Sequence, residues 1–120
     1  VLYAGDNDLN SGRSPEQVRD DVVAFVTRIR AALPEARIGY LSIKPSPSRA
    51  QLLPAIVRAN QLIKQALANV PRTDYIDIYT PMLDATGKPR PELFREDMLH
   101  MKPEGYALWR KAVAPVLDRK

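Results

Sequence analysis

The sequence predicts an α/β fold built on a small parallel sheet. Three short apolar segments, at 1–5, 36–43 and 74–82, alternate with two amphipathic segments of helical period, and a third such segment ends the chain. Strands that alternate with helices favour parallel pairing, because each helix returns the chain to the starting edge of the sheet. We therefore predict the order β-α-β-α-β-loop-α in one domain of 120 residues.

The first half of the chain contains two strands and one long helix. VLYAG (1–5) is apolar and ends in glycine, which indicates a buried strand leading into a turn. SPEQ then starts a helix, because Ser14 can cap it and Gln17 can close a capping box. Apolar residues follow at helical spacing: Val18, Val22, Phe25, Val26, Ile29 and Leu33. The pattern predicts a helix over 15–33 and a strand over 36–43.

The second half of the chain begins with a proline-rich loop. Pro54 would break a helix that began at residue 49, so we predict a short turn at 48–52 and the main helix from Pro54. The alternating residues of 74–82 predict the third strand. A turn-rich loop then covers 84–101, and the last helix is expected to begin near Pro103.

Composition excludes several classes of function. The net charge is +4, yet basic residues alternate with acidic ones, as in RDD (19–21) and FRED (94–97), so we predict no nucleic-acid partner. No apolar run approaches the ~18 residues of a membrane span. The absence of cysteine excludes disulfides, thiolate catalysis and cysteine-bound zinc.

The segment GDNDLNSG (5–12) allows three interpretations. Oxygen-bearing side chains alternate in it, as at the start of a calcium loop: Asp6, Asp8 and Asn10. However, Ser11 replaces the glycine of such a loop and Gln17 replaces its last carboxylate. A turn in which these side chains bond their own backbone is the plainer interpretation. The third interpretation is that Asn7 presents its amide to a developing oxyanion.

The segment DMLH contains His100, the one histidine of the chain. Asp97 precedes it by three residues, a spacing that lets the carboxylate accept from one ring nitrogen and leaves the other free as a general base. Zinc would require ligands that the chain lacks, so no metal site or cofactor is predicted. The alternative is a structural or merely exposed histidine.

These two segments are expected to meet. In parallel α/β sheets, sites form beyond the carboxyl ends of the strands. Asn7 follows the first predicted strand, and Asp97 and His100 follow the third. Both segments should therefore open on the same rim of the sheet.

Two motifs resemble those of a known family. GDND (5–8) resembles the third block, GxND, of the SGNH or GDSL hydrolases, and DMLHMKPEGY (97–106) resembles their fifth block. KPSPSR (44–49) is similar to bacterial members, and the likeness spans essentially the whole chain. The resemblance implies a three-layer, flavodoxin-like parallel sheet of which about three C-terminal strands are present. Residues 1–120 would then be a single partial domain.

The resemblance also implies a function, namely hydrolysis of a small acyl ester through a serine nucleophile. Matched to the family's motifs, Asn7 would be an oxyanion donor, His100 the base and Asp97 the group that orients it. Gly5 would let the strand turn closely beside the site. The family needs no metal or cofactor for this reaction.

The chain departs from the family at the nucleophile. The GDS block and the glycine of the second block are not in it, and no serine in the chain has the setting of a replacement. We therefore expect an N-terminal part of the domain to be missing and the chain alone to have little esterase activity. Strand 1–5 would then be an open edge that pairs with another copy. The alternative function is a non-catalytic binding or scaffolding module that keeps the fold.

Overall fold

A computed structural model describes residues 1–117 and contains a three-stranded, fully parallel sheet. Its strands lie side by side in chain order: β1 (Leu2–Tyr3), β2 (Ile38–Leu41) and β3 (Thr73–Ile76). Leu2 pairs with Tyr40 of β2, and Leu41 pairs with Ile76 of β3. Because all strands run the same way, their carboxyl ends share one rim, as the predicted α/β fold requires.

Four helices accompany the sheet. They are α1 (Asp6–Asn10), α2 (Pro15–Ala32), α3 (Leu53–Leu67) and α4 (Pro103–Leu117). A 3₁₀ segment at Pro47–Leu52 precedes α3, and Pro54 lies in the first turn of that helix, which confirms the predicted turn and helix start. None of the helices described within residues 1–117 is long and apolar enough to cross a membrane.

The core consists of two clusters, one on each face of the sheet. The first joins α2 and α3 to Ile38 and Tyr40, and the second joins α4 to Leu41 and Ile76. Alternate side chains of β2 therefore face opposite layers, as the pleat of a strand requires. The result is the three-layer arrangement that the family resemblance implied.

The structure corrects two expectations about burial. The first strand has two residues rather than five, and it is half-buried because it has a neighbouring strand on one side only within the described chain. Phe25 shares the helical spacing of the α2 core residues, yet it is 48% exposed. Val18, Val22 and Val26 alone form the buried stripe of α2. A helix that packs along one narrow seam leaves residues at the border of the stripe in solvent.

Candidate active site

The segment that contains the histidine is a tight hairpin. Phe94 and Met101 pair in antiparallel fashion at its base. The N–H of Arg95 donates to the carbonyl oxygen of His100 at 2.7 Å, and the N–H of Met98 donates to the carbonyl oxygen of Arg95 at 2.8 Å. Met98 closes the turn with a left-handed backbone, at φ 57°. The backbone of this loop is therefore held by its own hydrogen bonds.

Asp97 holds both the ring and the backbone of His100. Its Oδ2 atom lies 2.5 Å from Nδ1 of His100, and its Oδ1 atom accepts from the backbone N–H groups of Leu99 and His100 at 2.9 and 3.0 Å. The hydrogen bond from the imidazole, followed by those from the two N–H groups, holds the pKa of Asp97 well below its usual range. The carboxylate therefore stays ionised and accepts from Nδ1, so Nε2 is the ring nitrogen left for chemistry.

Gly5 lies between β1 and Asn7, whose side-chain amide is the predicted oxyanion donor. Its φ of 122° is one that residues with a side chain rarely adopt. A Cβ atom at this position would lie 2.8 Å from Cδ1 of Ile43 and 3.1 Å from Cγ1 of Val18. Only glycine fits both the backbone angle and the space, and it lets the chain pass from the strand directly into α1.

The segment after Gly5 is a short helix and not the predicted turn. Successive helical residues are rotated by about 100°, so alternate side chains such as Asp6 and Asp8 point away from one another. A calcium loop needs these oxygens to converge, and the structure therefore contradicts that alternative. Within residues 1–117, no group of three or more histidine, aspartate or glutamate side chains is arranged to hold a metal ion.

Asn7 and His100 line the same cavity, which has a volume of about 380 Å³. The cavity opens at the rim formed by the carboxyl ends of the strands, and its lining includes Gly5, Tyr3 and Lys44. Asp97 is not part of the lining and reaches the cavity only through His100. The structure thus brings together the two segments that the sequence expected on one rim.

Tyr3 is one of the other titratable side chains that line this cavity. Burial, followed by the charge of the nearby Asp6 carboxylate, raises the pKa of Tyr3 well above its usual value. The phenol therefore stays protonated, and its oxygen accepts from the backbone N–H of Lys44 at 3.3 Å. Tyr3 is suited to shaping the wall of the cavity and not to removing a proton.

An ion-pair cluster that the sequence did not predict lies next to Asn7. The carboxylate of Asp6 is nearly buried, and it lies 3.2 Å from Nζ of Lys44 and 3.0 Å from Nε of Arg49. Nη2 of Arg49 also donates to Oδ1 of Asn7 at 3.2 Å. The available signal was the pair of basic residues in KPSPSR (44–49), directly after the second strand.

The serines of the chain lie elsewhere, and none lines the cavity. Ser14 accepts from the N–H of Gln17 at 3.1 Å and caps α2, as predicted. The buried hydroxyl of Ser42 accepts from two backbone N–H groups of the segment after β3. Ser11 donates to the carbonyl oxygen of Asn7 at 2.9 Å. These hydroxyls have structural hydrogen bonds of their own.

The fold and the rim cavity define a class of architecture, namely a three-layer α/β fold with a cavity beyond the carboxyl ends of its parallel strands. Residues 1–108 match the GDSL-like lipase/acylhydrolase family, and the chain belongs to that family. The match confirms the resemblance found in the sequence motifs.

Relatives agree with this assignment. The chain is 29% identical over 123 residues to "Platelet-activating factor acetylhydrolase IB subunit alpha1" of Pongo abelii, an alignment that covers 99% of this chain and 51% of that protein. A structure from Streptococcus pneumonia superposes with a TM-score of 0.84 at 21% identity, over 97% of this chain and 57% of that one.

A second solved structure, a GDSL-like lipase from Bacteroides thetaiotaomicron, superposes with a TM-score of 0.74 at 18% identity. The superposition covers 97% of this chain and 60% of the lipase chain. These likenesses confirm the predicted fold class. The chain spans about half the length of the curated relatives it matches.

Proposed function

We propose that this chain supplies the base, its orienting carboxylate and one oxyanion donor of a serine esterase that hydrolyses small acyl esters. The observation that carries the proposal is that His100, held by Asp97, lines one cavity with Asn7. Membership of the acylhydrolase family supports the reaction class. The name of the Pongo abelii relative supports an acetyl or similarly short acyl group.

The reaction would divide among these residues as follows. Nε2 of His100 takes the proton of a serine hydroxyl as the serine oxygen attacks the ester carbonyl, and later gives that proton to the leaving alcohol. Asp97 keeps the imidazole in the tautomer whose Nδ1 donates. The side-chain amide of Asn7 donates to the oxygen that becomes negative in the tetrahedral intermediate. Water then hydrolyses the acyl-serine through the same base.

The nucleophile is proposed to come from residues outside these 120. No serine of the chain lines the cavity, and the hydroxyls of Ser11, Ser14 and Ser42 are engaged in structural hydrogen bonds. A chain that spans about half of its relatives leaves room for the remaining parts of the site. The 120 residues alone should therefore show little or no turnover.

The cavity supports a small substrate. Its volume of about 380 Å³ is near the lower end of the ~300–1,000 Å³ range of small-molecule sites. Gly5, Asn7 and His100 all line this space, which is large enough for an acyl group and its ester oxygen. A short acyl ester fits these dimensions better than a long lipid chain.

Hydrolysis of 4-nitrophenyl acetate tests the proposal. In the protein that includes these residues together with its serine, His100→Ala should lower kcat by roughly 10³-fold or more. Asn7→Ala should lower kcat by roughly 10²–10³-fold, as expected for one oxyanion donor. Asp97→Asn should also lower kcat, because it removes the carboxylate that orients His100. Asp84→Asn is its matched control, because Asp84 accepts hydrogen bonds from Thr86 and Lys88 in a separate turn.

The 120-residue chain provides a second test. A fluorophosphonate probe should label the longer protein and leave this chain unlabelled. Robust turnover by the chain alone that disappears in His100→Ala would show that a nucleophile lies within it. No turnover and no labelling in the longer protein would instead favour the non-catalytic binding module.

A further inference from the structure

We propose that Arg49 is a positioning residue that fixes the direction in which the amide of Asn7 faces. This inference rests on the function proposed above, in which the amide nitrogen of Asn7 donates to the oxyanion. It concerns a residue that the catalytic motifs do not include. Its basis is one chain of contacts, from Asp6 through Arg49 to Asn7.

The contact with Arg49 determines the orientation of the amide. Nη2 of Arg49 lies 3.2 Å from Oδ1 of Asn7, and a guanidinium can only donate hydrogen bonds. The amide atom that faces Arg49 must therefore be oxygen. The Nδ2 group is left on the opposite side, and it has no protein acceptor among residues 1–117. It is therefore free to donate to a ligand in the cavity.

Asn7 has little else to hold its side chain. It is exposed and lies in the first turn of the five-residue helix α1. An exposed amide can rotate about its last torsion angle, and both faces of the group are then populated. An oxyanion donor is effective only when it is fixed before the charge develops. The hydrogen bond from Arg49 supplies that fixation.

Arg49 is itself held in place. Its side chain is only 12% exposed, and its Nε lies 3.0 Å from Oδ1 of Asp6, although the two are not aligned as a hydrogen bond. The Asp6 carboxylate is 8% exposed and would be strongly destabilised without a paired charge. Lys44 pairs with its other oxygen. Asp6 precedes Asn7 directly, so this ion pair fixes Arg49 relative to the amide that it contacts.

The contacts require arginine rather than a positive charge alone. The guanidinium reaches Asp6 with Nε and Asn7 with Nη2, which are two separate donor atoms held at a fixed distance by one rigid plane. The ammonium of a lysine donates from one atom only, so it cannot reproduce two donor positions that a rigid plane holds apart. Arg49→Lys therefore keeps the charge beside Asp6 and removes the hold on Asn7.

A double-mutant cycle on ester hydrolysis tests the proposal in the protein that includes these residues together with its serine. Arg49→Lys should lower kcat by roughly 10-fold or more with KM little changed, since the amide that Arg49 orients acts on the oxyanion of the transition state. It should produce no further loss in the Asn7→Ala background, because the amide that it orients is gone. Lys44→Met is the control, since it removes the other partner of Asp6 and its effect should persist in that background.

A readout independent of activity uses the 120-residue chain. The two side-chain N–H resonances of Asn7 should lie away from their random-coil positions in the ¹H–¹⁵N spectrum of the wild-type chain. Arg49→Lys should bring them toward the random-coil positions of an asparagine side chain, whereas Lys44→Met should not. Unchanged Asn7 resonances in Arg49→Lys would overturn the proposal.

The outcomes separate this inference from the function on which it rests. If His100→Ala leaves kcat unchanged, the proposed function and the inference both fail. If His100→Ala and Asn7→Ala lower kcat but the loss in Arg49→Lys multiplies with that of Asn7→Ala, only the positioning role fails. A loss confined to the melting temperature, with kcat intact, would likewise reduce Arg49 to a structural partner of Asp6.

Discussion

Asn60 binds both backbone groups of Ile43. Its Oδ1 accepts from the N–H of Ile43 at 2.8 Å, and its Nδ2 donates to the carbonyl oxygen of the same residue at 3.2 Å. Both residues are buried, Asn60 within α3 and Ile43 just beyond β2. The pair therefore fixes the point from which the loop with Lys44 and Arg49 begins.

Asn60→Ala should destabilise the chain markedly, because it leaves the N–H and carbonyl of Ile43 buried without partners. Each such group costs about 1–3 kcal/mol. The free energy of unfolding, measured in urea, should fall by at least that amount. The exposed neighbour on the same helix provides the control, since Gln61→Ala should change stability by less than about 0.5 kcal/mol. Equal effects of the two variants would show that the double hydrogen bond is not important.

Gly5 and Gly12 allow the backbone angle and the available space to be tested separately. Both have positive φ, 122° and 96°. An added Cβ at Gly12 would meet nothing within 4 Å, whereas at Gly5 it would meet Ile43 at 2.8 Å. Gly12→Ala should therefore lower the free energy of unfolding by about 1–2 kcal/mol, for the strained backbone alone.

Gly5→Ala should lower the free energy of unfolding by about 1–3 kcal/mol more than Gly12→Ala, because the packing around the new methyl group must shift as well. Urea unfolding of both variants measures the difference. A Gly5→Ala chain no less stable than Gly12→Ala would mean that Ile43 moves aside without strain.

Local patterns account for the features that the sequence predicted well. The capping box needs only Ser14 and Gln17, three residues apart, and both of its hydrogen bonds are present. The Asp97–His100 contact likewise depends on a single turn of chain. The alternation of strands and helices was sufficient for the parallel order of the sheet, since connections between such strands have few alternatives.

Features that depend on distant segments could not be predicted in this way. Arg49 and Asn7 are 42 positions apart, and their contact exists only because β1 and β2 place both loops on one rim. The exposure of Phe25 has a similar origin, since helical spacing identifies an apolar stripe but not the width of the surface that covers it. Tertiary packing determined both outcomes.

The outer edge of β1 predicts self-association of the 120-residue chain, and we propose a second copy as the partner. Within residues 1–117, β1 pairs only with β2, so its other side presents unpaired backbone groups. A mostly apolar groove lies beside it, and its lining includes Leu2, Ala4 and the exposed ring of Phe25 together with Asp8 and Asp21. Apolar surface next to an open strand edge favours pairing between chains.

Light scattering coupled to size exclusion should therefore show a mass that rises with concentration. Phe25→Lys should shift the equilibrium toward monomer, because it replaces an apolar ring that is 48% exposed with a charged side chain. The exposed Gln61→Lys change on α3 is the control for added charge, and it should leave the association unchanged. A wild-type chain that stays monomeric at high concentration would contradict the prediction.

The lowered pKa of Asp97 predicts an acid-dependent contribution to stability. In the unfolded chain, the pKa of the Asp97 carboxyl is near its ordinary value of about 3.9. In the folded chain, hydrogen bonds from His100 and two backbone N–H groups keep this carboxyl ionised to lower pH. The unfolded chain therefore binds more protons between these two values, and stability rises with pH across that window. The contribution is complete above about pH 5 and is lost as pH falls through the folded-state pKa.

Asp97→Asn should remove this contribution. The difference in urea midpoint between the wild-type chain and the variant should be largest near pH 7 and shrink steadily below about pH 4. Asp84→Asn should show the same acid dependence, since hydrogen bonds from Thr86 and Lys88 also lower the pKa of Asp84. Asp84 accepts from Thr86 and Lys88, whereas Asp97 holds His100, so only Asp97→Asn should also reduce ester hydrolysis. A midpoint difference for Asp97→Asn that does not vary with pH would show that the carboxylate is not held by these hydrogen bonds in solution.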